Sequence, residues 1–153
     1  YFAGDFFQRA SFHTNQHAFP VLFMGSNKTQ SSMHIDGFNT NFWLYLLSGR
    51  KEWRAFPRLE LVNLYPHVFS KLFWLDAFNL DTKRFPLSRH AEMQTGIQEV
   101  GELMFIPAGS PHAVKNLEAT HAVSMNYVDA SNVGLYLSGL IQDPDDQDWR
   151  LVE

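Results

Sequence analysis

The segment Asn41-Phe42-Trp43-Leu44-Tyr45-Leu46-Leu47-Ser48-Gly49-Arg50-Lys51-Glu52-Trp53-Arg54-Ala55-Phe56-Pro57 reads as two strands and a turn. Residues 41–47 are a run of aromatic and aliphatic side chains of strand length, ended by Ser48-Gly49. Lys51–Phe56 reads as the partner strand, stopped by Pro57, which has no N–H to give to a ladder. Two such runs joined by a turn of a few residues predict a hairpin. On the second strand Lys51, Trp53 and Ala55 share one face, and that face is expected to point inward.

Further short runs flank this pair. Phe19–Met24 ends at Gly25-Ser26-Asn27, and Ser31–Asp36 alternates and stops at Gly37. Leu103–Ile106 lies between Gly101 and Pro107, and Ala122–Val128 ends at Asp129. Strands of this length and spacing predict an all-β sandwich or barrel. Residues 58–95, around Leu72-Phe73-Trp74-Leu75, read as a mixed insertion with one short helix. A C-terminal helix is expected over 131–142, capped by Ser131 or Asn132. Its Val133, Tyr136, Leu137, Leu140 and Ile141 form an apolar stripe, expected to pack against the barrel or to pair two copies in a homodimer. The acidic stretch Asp143–Asp148, with Pro144 ending the helix, is expected to be solvated.

The chain has 153 residues, enough for a single domain with one core. It begins at Tyr1, so it is expected to be a piece of a longer chain. Hydrophobic residues at 45% and charged residues at 18% exclude the disordered class. No apolar run approaches the ~18 residues of a membrane helix. A net charge of −4 argues against general nucleic-acid binding and leaves only a local basic group of Arg50, Lys51, Arg54 and Arg58. There is no cysteine, so a metal must be held by His, Asp or Glu. The expected compartment is intracellular.

His34-Ile35-Asp36 carries the first chemical signal. On a strand, positions i and i+2 face one side, which sets an imidazole beside a carboxylate. Chance alone produces such a triplet often, so a third ligand matters. His112 follows the apolar strand 103–106 and the corner Gly109-Ser110-Pro111. Two histidines and one carboxylate are the ligand set of non-haem Fe(II) oxygenases, with open positions for a bidentate 2-oxo acid and dioxygen. Lys51 is the candidate for the far carboxylate of such an acid, because a buried ammonium needs a partner charge. Ser31 offers a hydroxyl nearby, and Ser124 and Asn126 share one face of the late strand. His13, His17, His67, His90 and His121 have no partner at ligand spacing and read as ordinary surface or core residues.

In these blocks the chain resembles the Jumonji C (JmjC) domains of the Fe(II)/2-oxoglutarate oxygenases, in the cupin superfamily. The resemblance runs from about Phe19 to Val128. It rests on His34-Ile35-Asp36 with Ser31, on 41–57, on Asp81 through Phe85-Pro86-Leu87, and on Gly101 through Gly109 with His112 and Ser124-Met125-Asn126-Tyr127. It implies a double-stranded β-helix (cupin or jelly-roll barrel), with His34, Asp36 and His112 on Fe(II). It implies Lys51 and Ser31 on 2-oxoglutarate, and Asn126 near both. The implied reaction uses O2, releases succinate and CO2, and hydroxylates a protein or peptide. N-methyl-lysine demethylation, RNA or small-molecule hydroxylation and a non-catalytic metal-binding barrel are the alternatives. Two features depart from the family pattern. Ser110-Pro111 stand where a tryptophan pair is common, and Asn41 lies ten residues before Lys51 instead of nine. The second predicts either a one-residue bulge or Leu44 or Tyr45 on that wall.

Overall fold

Seven strands form two antiparallel sheets in this computed structural model, which describes residues 4–6, 20–67 and 70–142. They are β1 (Val21–Gly25), β2 (Asn41–Ser48), β3 (Lys51–Ala55), β4 (Gln94–Gln98), β5 (Leu103–Ile106), β6 (His112–Asn116) and β7 (Thr120–Tyr127). The major sheet has the order β1-β7-β2-β5 and the minor sheet β4-β3-β6. A helix, α1 (Val133–Gln142), follows. This is the all-β cupin or jelly-roll arrangement. His13, His17, Phe19 and the stretch Asp143–Asp148 lie outside the described residues.

The hairpin expected from 41–57 does not form. β2 pairs with β5 and β7, whereas β3 pairs with β4 and β6. The turn carries the chain from one sheet to the other. Gly49 makes this possible: its φ is +80°, and a Cβ there would lie 2.2 Å from the Ala119 carbonyl oxygen. The two runs therefore face each other across the core instead of lying side by side. Phe42, Leu44, Leu46 and Ala122 from the major sheet meet Trp53 of the minor sheet, with Ile106 beside them. Leu46 is fully buried, and burial of that kind contributes about 1.5–3 kcal/mol per side chain.

Among its described residues the insertion forms two 3-10 turns, Arg58–Asn63 and Pro86–His90, and no α-helix. It covers the outer face of the minor sheet with a second core of Met33, Phe56, Leu64, Phe73, Leu75, Ala77 and Ala113. β4 and β6 were not foreseen. β4 carries no apolar alternation, with Gln94, Thr95 and Gly96 in its first three positions, and β6 starts directly after the corner Ser110-Pro111.

Ser31–Asp36 is not a regular strand. It runs along β6 through the bridges Gln30–Lys115 and His34–His112, and His34 bridges Leu72 on its other side. Between the two β6 bridges the Ser31 hydroxyl accepts the Val114 N–H at 3.0 Å, doing the work of a backbone carbonyl.

Asn132 holds the N-cap position of α1, its carbonyl accepting the Tyr136 N–H at 2.9 Å, but its side chain does not bond to the first turn. The Asn132 side chain instead accepts the Asp129 N–H and donates to the carbonyls of Asn39 and Tyr127. Of the apolar stripe, Leu140 is buried and Tyr136 meets Phe38 edge-on, while Leu137 and Ile141 are exposed. Among the described residues no helix is long and apolar enough to cross a membrane. The basic group does not form: Arg50 pairs with Glu99, Arg54 with Glu52, and Lys51 is buried.

Candidate metal and anion site

His112 opens β6, with Phe42 and Trp53 at ring separations of 6.1 and 6.2 Å. The His34–His112 backbone pair, joined by reciprocal hydrogen bonds of 3.0 and 2.9 Å, sets the two rings 4.4 Å apart. Asp36 follows two residues on. Its Oδ1 lies 3.7 Å from His34 Nε2 and 3.9 Å from His112 Nε2. The three ligand-capable atoms lie within 4.8 Å of one another.

Both imidazoles are oriented the same way. His34 Nδ1 meets the Ser32 carbonyl at 2.8 Å, and His112 Nδ1 meets the Ser110 carbonyl at 3.0 Å. A carbonyl only accepts, so each Nδ1 carries a proton, which in a neutral ring leaves the Nε2 lone pair facing Asp36. Ser110, standing where the family's tryptophan pair is common, thus contributes through its backbone. Burial, and secondarily the nearby His34, lowers the His112 pKa to about 4. Burial raises that of Asp36, against the lowering effects of His34 and of a hydrogen bond from Asn126. Asp36 Oδ2 is buried with no hydrogen-bond partner. An orphaned carboxylate oxygen beside two imidazole lone pairs is a donor set that a divalent cation completes.

These residues line a cavity of about 410 Å3 whose wall includes Ser31, Phe42, Leu44, Lys51, Trp53, Asn116 and Asn126. Lys51 is only 5% exposed. Its Nζ donates to Asn116 Oδ1 at 2.7 Å and to Thr120 Oγ1 at 3.2 Å. Both acceptors are neutral, and no ion pair of the described residues includes Lys51. Burial lowers its pKa. A buried ammonium with neutral partners, facing a cavity, leaves an anion's place open.

Asn126 is held by donating to Thr40 Oγ1 at 2.8 Å. Ser124 is 2% exposed, opposite Val21 and Leu44, and is not among the residues that line the cavity. Asn41 turns away, accepting the Ala108 N–H and donating to Ser131. The residue nine before Lys51 is Phe42, and Phe42 and Leu44 form the wall while Tyr45 points out; the irregularity in β2 lies between Leu46 and Ser48.

Asn116, Thr120 and Gly25 were missed. The signal was present as period 2: His112, Val114 and Asn116 share a face, as do Thr120, Ala122, Ser124 and Asn126. A Cβ on Gly25 would lie 2.1 Å from Asn116 Nδ2, so glycine makes room for the amide that holds Lys51.

The sequence profile of the cupin-like domain family matches residues 2–132. The chain belongs to this family. Its relatives include JmjC proteins. It is 29% identical over 142 residues to the mouse (Mus musculus) "2-oxoglutarate and iron-dependent oxygenase JMJD4", covering 87% of this chain and 32% of the relative. It is 27% identical over 112 residues to the Arabidopsis thaliana "Arginine-specific demethylase JMJ20", covering 73% and 24%. It is 35% identical over 104 residues to the Dictyostelium discoideum "JmjC domain-containing protein D", covering 65% and 23%. The chain spans about a third or less of the length of these relatives.

Proposed function

We propose that this cupin-like domain is an Fe(II)- and 2-oxoglutarate-dependent dioxygenase that hydroxylates a protein side chain. One observation carries the reading: a His-Asp-His cluster and a buried lysine without a counter-ion line the same cavity. A non-catalytic metal-binding barrel has no use for that lysine.

His34 and His112 would give Nε2, and Asp36 a carboxylate oxygen, to Fe(II). The metal, with 2-oxoglutarate and O2, supplies the oxidising chemistry, with succinate and CO2 as products. Lys51 pairs with the distal carboxylate, and Asn116 and Thr120 aim its ammonium. Ser31 already accepts the Val114 N–H, and its own proton remains to be given to the same carboxylate. Phe42, Leu44 and Trp53 exclude water from the reacting centre. Asn126, fixed by Thr40, orients Asp36.

Relatives include proteins named as arginine- and lysine-specific demethylases, which favours N-demethylation as the second reading. A hydroxylated N-methyl group leaves as formaldehyde, whereas a hydroxylated carbon keeps its oxygen. Mass spectrometry of treated peptides distinguishes the two.

Anaerobic titration of Fe(II) and 2-oxoglutarate tests the reading. A weak visible charge-transfer band is expected in the wild type and not in Asp36→Ala. Its absence from the wild type would end the oxygenase reading.

A further inference from the structure

Asp36 leads directly into a strained turn. Gly37–Asn39 is one 3-10 turn, and within it Phe38 (φ +50°, ψ +23°) and Asn39 (φ +54°) are both left-handed. A Cβ makes that region costly, most of all for a bulky residue such as Phe38. Strain of this kind persists only where the surroundings over-determine it, and it gathers at functional sites.

The surroundings here are α1. Phe38 is buried, and its ring meets Tyr136 edge-on at 6.1 Å. The Asn39 side chain donates to the Leu135 carbonyl, and the Asn132 side chain donates to the Asn39 carbonyl, each at 3.3 Å. Gly139 is the point of closest approach. A Cβ built on it would lie 3.1 Å from the Cα, C and O atoms of Phe38. Glycine inside a helix costs free energy relative to alanine, and what it permits here is contact with the Phe38 backbone. Gly134, on the same helix, would have nothing within 4 Å of its Cβ.

The turn is tied to Asp36 by main chain and by side chains. The Asn39 N–H donates to the Asp36 carbonyl at 3.3 Å. Thr40 donates its N–H and its hydroxyl to the Gly37 carbonyl, each at 3.1 Å. The Thr40 hydroxyl oxygen accepts from Asn126, which in turn bonds the Asp36 carboxylate. A shift of Phe38 by a few tenths of an ångström, as a Cβ at position 139 would impose, is carried to that carboxylate by both routes. Metal–ligand distances are held to within about 0.2 Å. His34 and His112, bridged to each other along β6, are outside this linkage.

We propose that α1 is a positioning element of the metal site: seated on Phe38 through Gly139, it holds the left-handed turn that aims the Asp36 carboxylate at the two imidazoles. Crowding or lifting the helix weakens metal binding while the barrel stays folded. The proposal rests on the reading of Asp36 as a metal ligand.

The test is the Mn(II) affinity of the metal-free protein, read from the electron paramagnetic resonance of the free ion. Each variant is titrated without denaturant after its urea midpoint is known, so that loss of folded protein is not read as loss of affinity. Gly139→Ala should bind Mn(II) about tenfold more weakly than the wild type. Gly134→Ala, the same change on the same helix without the contact, should bind as the wild type does. A second readout needs no variant and decides alone if Gly139→Ala fails to fold. Coupling between two sites is reciprocal, so Mn(II) should slow amide exchange of the wild type in peptides spanning 37–40 and 133–142 together. Undiminished affinity in Gly139→Ala, an equal loss in Gly134→Ala, or slowing at 37–40 without 133–142 would overturn the proposal. A wild type that binds no Mn(II) would sink the metal reading and the proposal with it, whereas failure of the positioning role alone shows only once the wild type has bound the ion.

Discussion

Replacing Lys51 with methionine should move stability and co-substrate affinity in opposite directions. The ammonium is buried against two neutral acceptors, Asn116 Oδ1 and Thr120 Oγ1. Its folded pKa is lowered, so the unfolded chain binds this proton more tightly. The cost to the ligand-free fold is therefore complete below the folded pKa and fades as pH rises through that value. Methionine keeps most of the stem and removes the charge. Asn116 Oδ1 is not orphaned, because the Thr120 hydroxyl donates to it at 3.1 Å. The ligand-free variant should melt no lower than the wild type, and a relief of about 1 kcal/mol would raise the melting temperature by about 2–4 °C. The loss of a hydrogen bond to a charged group, about 1.5–3 kcal/mol, should weaken 2-oxoglutarate by about ten- to a hundredfold. Succinate formation in the absence of prime substrate, followed against 2-oxoglutarate concentration, reads the second effect, and the rate should recover at high 2-oxoglutarate. A KM unchanged in the variant, or a melting temperature that drops while KM holds, would make Lys51 a structural residue and refute the reasoning.

Gly25→Ala should raise the KM for 2-oxoglutarate by displacing Asn116, while metal affinity measured by equilibrium dialysis stays at its wild-type value. His112 has a folded pKa of about 4 against 6.5 for the free group, so the unfolded chain binds more protons between these values. The metal-free protein should lose stability as pH falls through that window, by on the order of 3 kcal/mol. Urea midpoints at several pH values measure this, and His112→Gln should flatten the profile. Leu46→Ala, at a fully buried position between the sheets, should cost about 2–5 kcal/mol in the same urea assay.

The strands carrying most of the site were legible because their patterns are local. Leu103–Ile106 is β5 residue for residue, and Asn41 and Lys51 open β2 and β3. Which strands pair was not legible. A turn of Ser48-Gly49-Arg50 fits a hairpin and a sheet-to-sheet crossing equally well, and the decision lies in partners far along the chain. β4 was obscured for a related reason: Gly96 weakens its strand signal, and its register partner Trp53 lies far along the chain. The His-Asp-His cluster was legible only in combination: the triplet His34-Ile35-Asp36 is common by chance, and it gained meaning from the corner His112 and the resemblance of the surrounding blocks. The cradle of Lys51 was not, since Asn116 and Thr120 are unremarkable residues until the sheets bring them to one ammonium. Ser124 shows the limit of face arguments: it shares Asn126's inward face, yet a few ångströms along a strand separate a cavity wall from the core.

The central claim concerns one cavity serving a metal and an anion together, and a crystal structure with Mn(II) and 2-oxoglutarate tests it most directly. The metal should sit on His34 Nε2, Asp36 and His112 Nε2, with the far carboxylate of the acid on Lys51 Nζ. A metal bound elsewhere, or a carboxylate turned away from Lys51 while the metal occupies the cluster, would contradict it.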